Sequence, residues 1–267
     1  MEPTNTTEQQ SSRGAGNTAP RFALCALRAK AHAKPKVNQK EALRYLGYTG
    51  QTIDDSLIRR LEQMAASCEE ELNPAFTWRV FPLDEERCRW EEQPLVALRQ
   101  SSLVFEGKSI STHLKGARAA ACLAATLGAE SERKLRVLSA TSPLDAMLFD
   151  ACCNALIEDV AQAAQDDIAT EAAKAGLHAR MRFSPGYGDL PLAVQPQFIQ
   201  ELDARRRLGI TVGKSLLLTP AKSITAIVGL FDAPPPSTGR TPCQDCIARE
   251  YCSYLEKGIT CYGNQHR

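Results

Sequence analysis

Residues 142–176, SPLDAMLFDACCNALIEDVAQAAQDDIATEAAKAG, carry the strongest single element of this chain. Ser142 suits the cap of a helix, Pro143 its first position, and Asp145 puts a carboxylate near the positive end of the helix dipole. No breaker follows until Gly176, so the stretch predicts one long helix. Cys152 and Cys153 sit among its apolar residues, where thiols pack as small hydrophobes. Toward the N-terminus, residues 134–140 alternate apolar and polar side chains and predict a strand. Before them, Ser109 or Ser111 is expected to cap a helix running through Leu114, Ala117, Ala121 and Ala125 to a stop at Gly128. Residues 78–83, 95–98 and 103–105 read as strands. Asp54 and Asp55, followed by Leu57, Ile58, Leu61, Met64, Ala65, Cys68 and Leu72, predict an amphipathic helix ended by Asn73 and Pro74. Toward the C-terminus, residues 210–218 and 224–231 predict neighbouring strands. The elements do not alternate strictly, which argues for an α+β fold: a mixed or antiparallel sheet with packed helices, plus a small Cys-rich metal-binding tail.

The 267 residues are 43% apolar and 24% charged, ordinary proportions for a chain that buries a core. The net charge of +1 removes the case for a dedicated nucleic-acid binder, which needs a clustered basic surface. No apolar stretch approaches the roughly 20 residues that cross a bilayer, so no membrane partner is expected. No basic region followed by an apolar core opens the chain, and a cytoplasmic location is expected. Residues 1–36 are polar, carry a charge of +4 and are expected to form a disordered basic tail. Folded structure is expected over 37–232, and residues 233–267 read as a proline linker, through Pro234, Pro235 and Pro236, into a cysteine-rich motif.

Residues 182–189, RFSPGYGD, are too rich in turn formers for a helix or strand interior and predict an exposed loop. Pro185 and Gly186 suit the central positions of a type II turn, since proline presets φ and glycine accepts the positive φ that follows. Arg182 offers a planar fork to a carboxylate, Tyr187 a π face, and Asp189 an acceptor for a hydroxyl or amine. On composition alone, a tight structural turn and a binding loop are equally open. The histidines His32, His113, His178 and His266 have no partners at ligand spacing. The paired carboxylates Asp54 and Asp55, and Asp166 and Asp167, read as solvated or dipole-stabilising groups.

The pattern Arg182-x-x-x-Gly186-Tyr187 is followed by Asp189, Pro191, Leu192 and Gln195, then by Gly209, Ile210, Thr211, Leu218, Pro220, Lys222, Ser223 and Gly229. Together with Leu46, Gly47 and Tyr48, residues 103–128 with their serine helix start, and the long helix after Pro143, it resembles the activation domain of cobalamin-dependent methionine synthase in a short, standalone form. The resemblance covers residues 38–232. It implies S-adenosylmethionine binding by the loop, with Arg182 facing the ligand carboxylate, Gly186 and Tyr187 lining its pocket, and Ser184, Pro185 and Asp189 completing it. It implies reductive reactivation of a partner, a cobalamin-binding methionine synthase or related corrinoid protein, with an electron donor protein as a further partner. The role is accessory: orientation of the methyl donor and exclusion of water, without a catalytic acid or base. The alternative is a metal-stabilised scaffold or regulator of corrinoid methyltransferases that does not bind the methyl donor.

Ten cysteines in a long chain without a secretory signal do not predict disulfides, and four of them crowd into the last 25 residues. Cys243, Cys246, Cys252 and Cys261 have the density for four-thiolate coordination of an iron-sulfur cluster or zinc. The cluster is the expected occupant because the implied reaction consumes an electron, with zinc as the alternative.

Overall fold

The computed structural model describes residues 27–29, 36–234 and 255. In chain order these form β1 (Leu27–Ala29), α1 (Gln39–Tyr45), α2 (Asp55–Glu71), β2 (Ala75–Pro82), β3 (Leu95–Ala97), β4 (Val104–Glu106), α3 (Lys108–Leu114), β5 (Ala119–Thr126), α4 (Ala129–Thr141), α5 (Pro143–Lys174) and β6 (His178–Phe183). A 3-10 turn (Leu192–Val194) leads into α6 (Gln195–Glu201), α7 (Ala204–Leu208), β7 (Thr211–Val212), β8 (Leu218–Thr219) and β9 (Ser223–Phe231). Strands β1-β2-β5-β9-β6 make one sheet in that order, and every pairing in it is antiparallel. Leu27–Ala29 thus joins the sheet on β2, although residues 1–36 are expected to form a disordered tail; the free edge of β2 offers backbone partners that composition does not reveal. The fold is α+β, with helices on both faces of the sheet.

The central strand β5 carries the sequence AAACLAAT, and all eight residues are buried. Its alternation sends Ala119, Ala121, Leu123 and Ala125 into a core roofed by α5 and α2, and Ala120, Cys122 and Ala124 into a second core with α3, α6 and α7. This overturns the expected helix through Ala121 and Ala125. Alanine favours helix in isolation, but small side chains on both faces let two layers close onto the sheet, and tertiary packing overrides propensity. A strand buried on both sides also has no period with which to announce itself. The helix that does form there, α3, ends at Leu114 and is capped at Gly107 rather than at Ser109 or Ser111.

Residues 134–140, expected as a strand, lie inside the helix α4. Leu135 and Leu138, three apart, pack on the α5 core while Val137 faces solvent, so the helical period wins over the local alternation. Residues 210–218 are likewise not one strand. Gly213 and Leu216, the latter at φ +64°, turn the chain between β7 and β8, which pair with each other. The helix α5 begins and ends where Ser142, Pro143 and Gly176 predict. Ser142 makes no side-chain cap bond, however, and Asp145 receives the Arg60 guanidinium of α2 at 2.6 and 2.9 Å. Leu148, Phe149, Leu156 and Val160 are fully enclosed against the sheet. Each contributes about 1.5–3 kcal/mol by leaving water. Polar clips fix the helix azimuth: the Trp78 indole N–H of β2 donates to Asp167 at 2.8 Å, and Lys222 reaches Asp150 and Asn154 at 2.7 and 2.6 Å.

Candidate functional site

The loop after β6 folds as its residue types dictate. The Tyr187 N–H donates to the Ser184 carbonyl at 3.1 Å, closing a four-residue turn with Pro185 and Gly186 at its centre. Gly186 has φ +91°, the value a type II turn demands at that position. A second tie, from the Gly186 N–H to the Leu190 carbonyl at 2.8 Å, holds the turn against the chain that leaves it. The turn leaves Tyr187 61% exposed, with its ring edge-on to Phe183 at 6.3 Å.

Asp189 faces away from the loop tip. Its two carboxylate oxygens accept the Lys108 and Ser109 N–H groups at 2.6 and 2.9 Å, the free donors at the start of α3. Gly107 has φ +131°, and a Cβ there would lie 2.7 Å from an Asp189 oxygen, so only glycine admits the carboxylate this close. Partial burial opposes the charge on Asp189, but these backbone donors outweigh it and hold its carboxyl below the ordinary range.

Arg182 turns the other way, onto α5. Its guanidinium donates to Glu158 and Gln162, each at 2.8 Å, and to Gln165 at 3.3 Å. A one-residue bulge in β6 between Ala179 and Arg182 causes this. Without it, Arg180 and Arg182 would share a face; with it, Arg180 lies over Phe231 of the second core while Arg182 meets α5. Thus Ser184, Pro185, Gly186 and Tyr187 come together in one turn, with Arg182 and Asp189 anchored on different neighbours. Glu158 is the residue that sequence reasoning missed. Its only signal is its spacing from Gln162 and Gln165 on one face of α5, which makes a polar stripe.

A groove of about 390 Å³ lies between α1 and α5, lined by Tyr45, Leu46, Met147, Asp150, Ala151 and Asn154 among others. Its Tyr45 feels the Glu158 charge: the phenol is pushed up by burial and then by that carboxylate. Other residues of the sequence pattern act as tie points. Thr225 donates to Gln195 at 2.8 Å inside the core, joining β9 to α6, and Ser223 donates to Thr126 at 2.8 Å.

Among the described residues no cluster of three or more His, Cys, Asp or Glu is arranged to hold a metal. Cys243, Cys246, Cys252 and Cys261 lie outside those residues. Among the described residues no helix is long and apolar enough to cross a membrane. No protein-family model matches the sequence, and no curated protein does. Among solved structures, the crystal structure of the MetH reactivation domain bound to AdoHcy matches with a TM-score of 0.58 and 13% identity, covering 91% of this chain and 88% of that one. The chain therefore has the fold of that reactivation domain, with the sheet, the long helix and the loop-bearing edge strand set out above as its own version of it.

Proposed function

We propose that this protein binds S-adenosylmethionine and serves the reductive reactivation of a cobalamin-dependent methionine synthase or related corrinoid methyltransferase. The observation that carries the reading is the Arg182–Glu158 pair, whose carboxylate charge is felt by Tyr45 in the groove between α1 and α5. A cation and a carboxylate side by side match the carboxylate and ammonium of an amino-acid ligand, and the groove has room for a body attached to it. The likeness in fold to a domain crystallised with AdoHcy agrees with this reading.

Arg182, Ser184, Pro185, Gly186, Tyr187 and Asp189 are the proposed binding residues. Arg182 would exchange the neutral amides of Gln162 and Gln165 for the ligand carboxylate, a stronger partner. Ser184, Pro185 and Gly186 set the loop backbone, Tyr187 offers its exposed ring, and Asp189 keeps the loop docked on α3. S-adenosylmethionine would supply the methyl group to the corrin cobalt of a partner protein, which also needs one electron from a donor. This chain's own contribution is to orient the methyl donor and exclude water. In the same reading, residues 37–232 form the activation unit, and Cys243, Cys246, Cys252 and Cys261 hold an iron-sulfur cluster, or zinc, that follows it.

The test is calorimetric titration of the full chain with S-adenosylmethionine and its demethylated product. Saturable binding that weakens about tenfold or more in Arg182→Ala is expected. Binding that is absent, or unchanged in that variant, refutes the reading. The Arg182 guanidinium is satisfied by α5 without any ligand, and that favours the alternative, a scaffold or regulator of corrinoid methyltransferases without methyl-donor binding.

A further inference from the structure

Two residues before Arg182 lies an arginine with a different environment. The Arg180 guanidinium carbon lies over the Phe231 ring, 3.5 Å from the centroid. Its Nε is buried and has no hydrogen-bond partner among the described residues, and no carboxylate of those residues pairs with it. A buried donor on a cation that lacks an acceptor is costly, and native structures rarely leave one without a purpose. Arg182 shows the contrast, with three acceptors on α5.

His113 of α3 lies within range of the Arg180 charge. Its Nε2 is likewise buried and unpartnered, and its ring packs on Phe183 at 5.3 Å. Burial and then the Arg180 charge push its pKa down to about 4, against a hydrogen bond to the Met181 backbone. At neutral pH it is an uncharged imidazole beside an unneutralised cation. The facing groups are Arg180 and the Met181 backbone from β6, with the Phe183 ring. Two orphaned nitrogens, one on a cation, thus lie on the second-core side of the bulged edge strand, each group against an aromatic ring, Arg180 on Phe231 and His113 on Phe183.

We propose that Arg180 and His113 form an oxyanion subsite on the second-core side of β6, taking a terminal carboxylate or phosphate group of a ligand. The guanidinium edge donates in-plane to the oxyanion, as its fork geometry favours. The His113 imidazole completes the site either as acceptor for a protonated oxygen or, once protonated, as donor. The subsite goes beyond the proposed S-adenosylmethionine loop, because Arg182 and Tyr187 take no part in it.

The experiment follows the His113 ring resonances of the full chain by NMR while inorganic phosphate, and separately acetate, is added. Assignment comes from loss of the signal in His113→Asn. A saturable shift is expected, together with a His113 titration midpoint that rises in the anion, since a negative neighbour favours the imidazolium. The affinity should fall at least about tenfold in Arg180→Gln and remain measurable in Arg180→Lys, which keeps the charge without the fork. It should be unaffected in Arg182→Ala, so failure of the methyl-donor reading is distinguishable from failure here. A parallel S-adenosylmethionine titration separates the subsite from the loop. Unchanged binding in Arg180→Gln beside a weakened phosphate response identifies a separate phosphate-bearing ligand, whereas loss of that binding overturns a subsite distinct from the loop. No saturable response, or one that survives Arg180→Gln with the fold intact by circular dichroism, overturns the proposal.

Discussion

Removing the Asp189 carboxylate tests whether the loop is anchored by capping a helix that lies about 80 residues away in sequence. Asp189→Ala frees the Lys108 and Ser109 N–H groups of α3, which Asp189 now satisfies at 2.6 and 2.9 Å. Loss of a helix cap costs about 1 kcal/mol, with an upper range near 2. The charge at a helix N-terminus adds about 0.3–1 kcal/mol at an exposed position. The combined expectation is about 1–2 kcal/mol, which for a fold of this size lowers Tm by roughly 2–4 °C per kcal/mol. Asp189→Asn keeps an oxygen acceptor and should fall between the two proteins. The folded-state carboxyl is held low, so its contribution is present above the unfolded pKa of about 4 and is lost as pH falls through the folded value. Urea unfolding of wild type and variant should therefore differ by a constant amount from neutral pH to about pH 5 and converge in stronger acid. A difference below about 0.3 kcal/mol at pH 7 would refute the capping argument. So would a gap that persists undiminished at low pH, which would trace the loss to packing rather than charge.

The other predictions concern the ligand sites and the core. Arg182→Ala should weaken S-adenosylmethionine binding about tenfold or more by calorimetry, and Arg180→Gln should weaken the anion response of the His113 resonances by at least about tenfold. Gln195→Met leaves the buried Thr225 hydroxyl without its 2.8 Å acceptor. It should cost about 1–3 kcal/mol in urea unfolding, with Thr225→Val in the same chain recovering much of that. Among the described thiols, Cys68, Cys122 and Cys152 are fully enclosed and pushed up: Cys122 by burial, Cys152 by its hydrogen bond with Cys68 and by burial, and Cys68 by a hydrogen bond with Cys153 and by burial, which together outweigh the lowering bond with Cys152. Mass-spectrometric mapping after native alkylation should find Cys88 modified before any of them, because it alone of these four is partly exposed.

Much of the loop was legible because its chemistry is local. Proline followed by glycine predicts the Ser184–Tyr187 turn, and Gly186 supplies the positive φ it needs. The ends of α5 were legible for the same reason, since caps and breakers act within one helical turn. The partners of the site residues were not. Asp189 reads as a free acceptor until α3 arrives beneath it, and Arg182 as a free fork until Glu158, Gln162 and Gln165 meet it. Those contacts join residues 17–81 positions apart, and no local pattern encodes them.

The amino-acid sequence by itself determined the α+β class, the long helix, the amphipathic helix α2 and the turn that exposes Tyr187, because each rests on short-range sterics and hydrophobic periodicity. Only the tertiary structure decided that the alanine-rich run is the central strand and that residues 134–140 are helical. It also decided that a single bulge in β6 sends two arginines to opposite faces of the sheet. The physical reason is shared: where neighbours on both sides bury a segment, or where one inserted residue flips every side chain beyond it, global packing outweighs local preference.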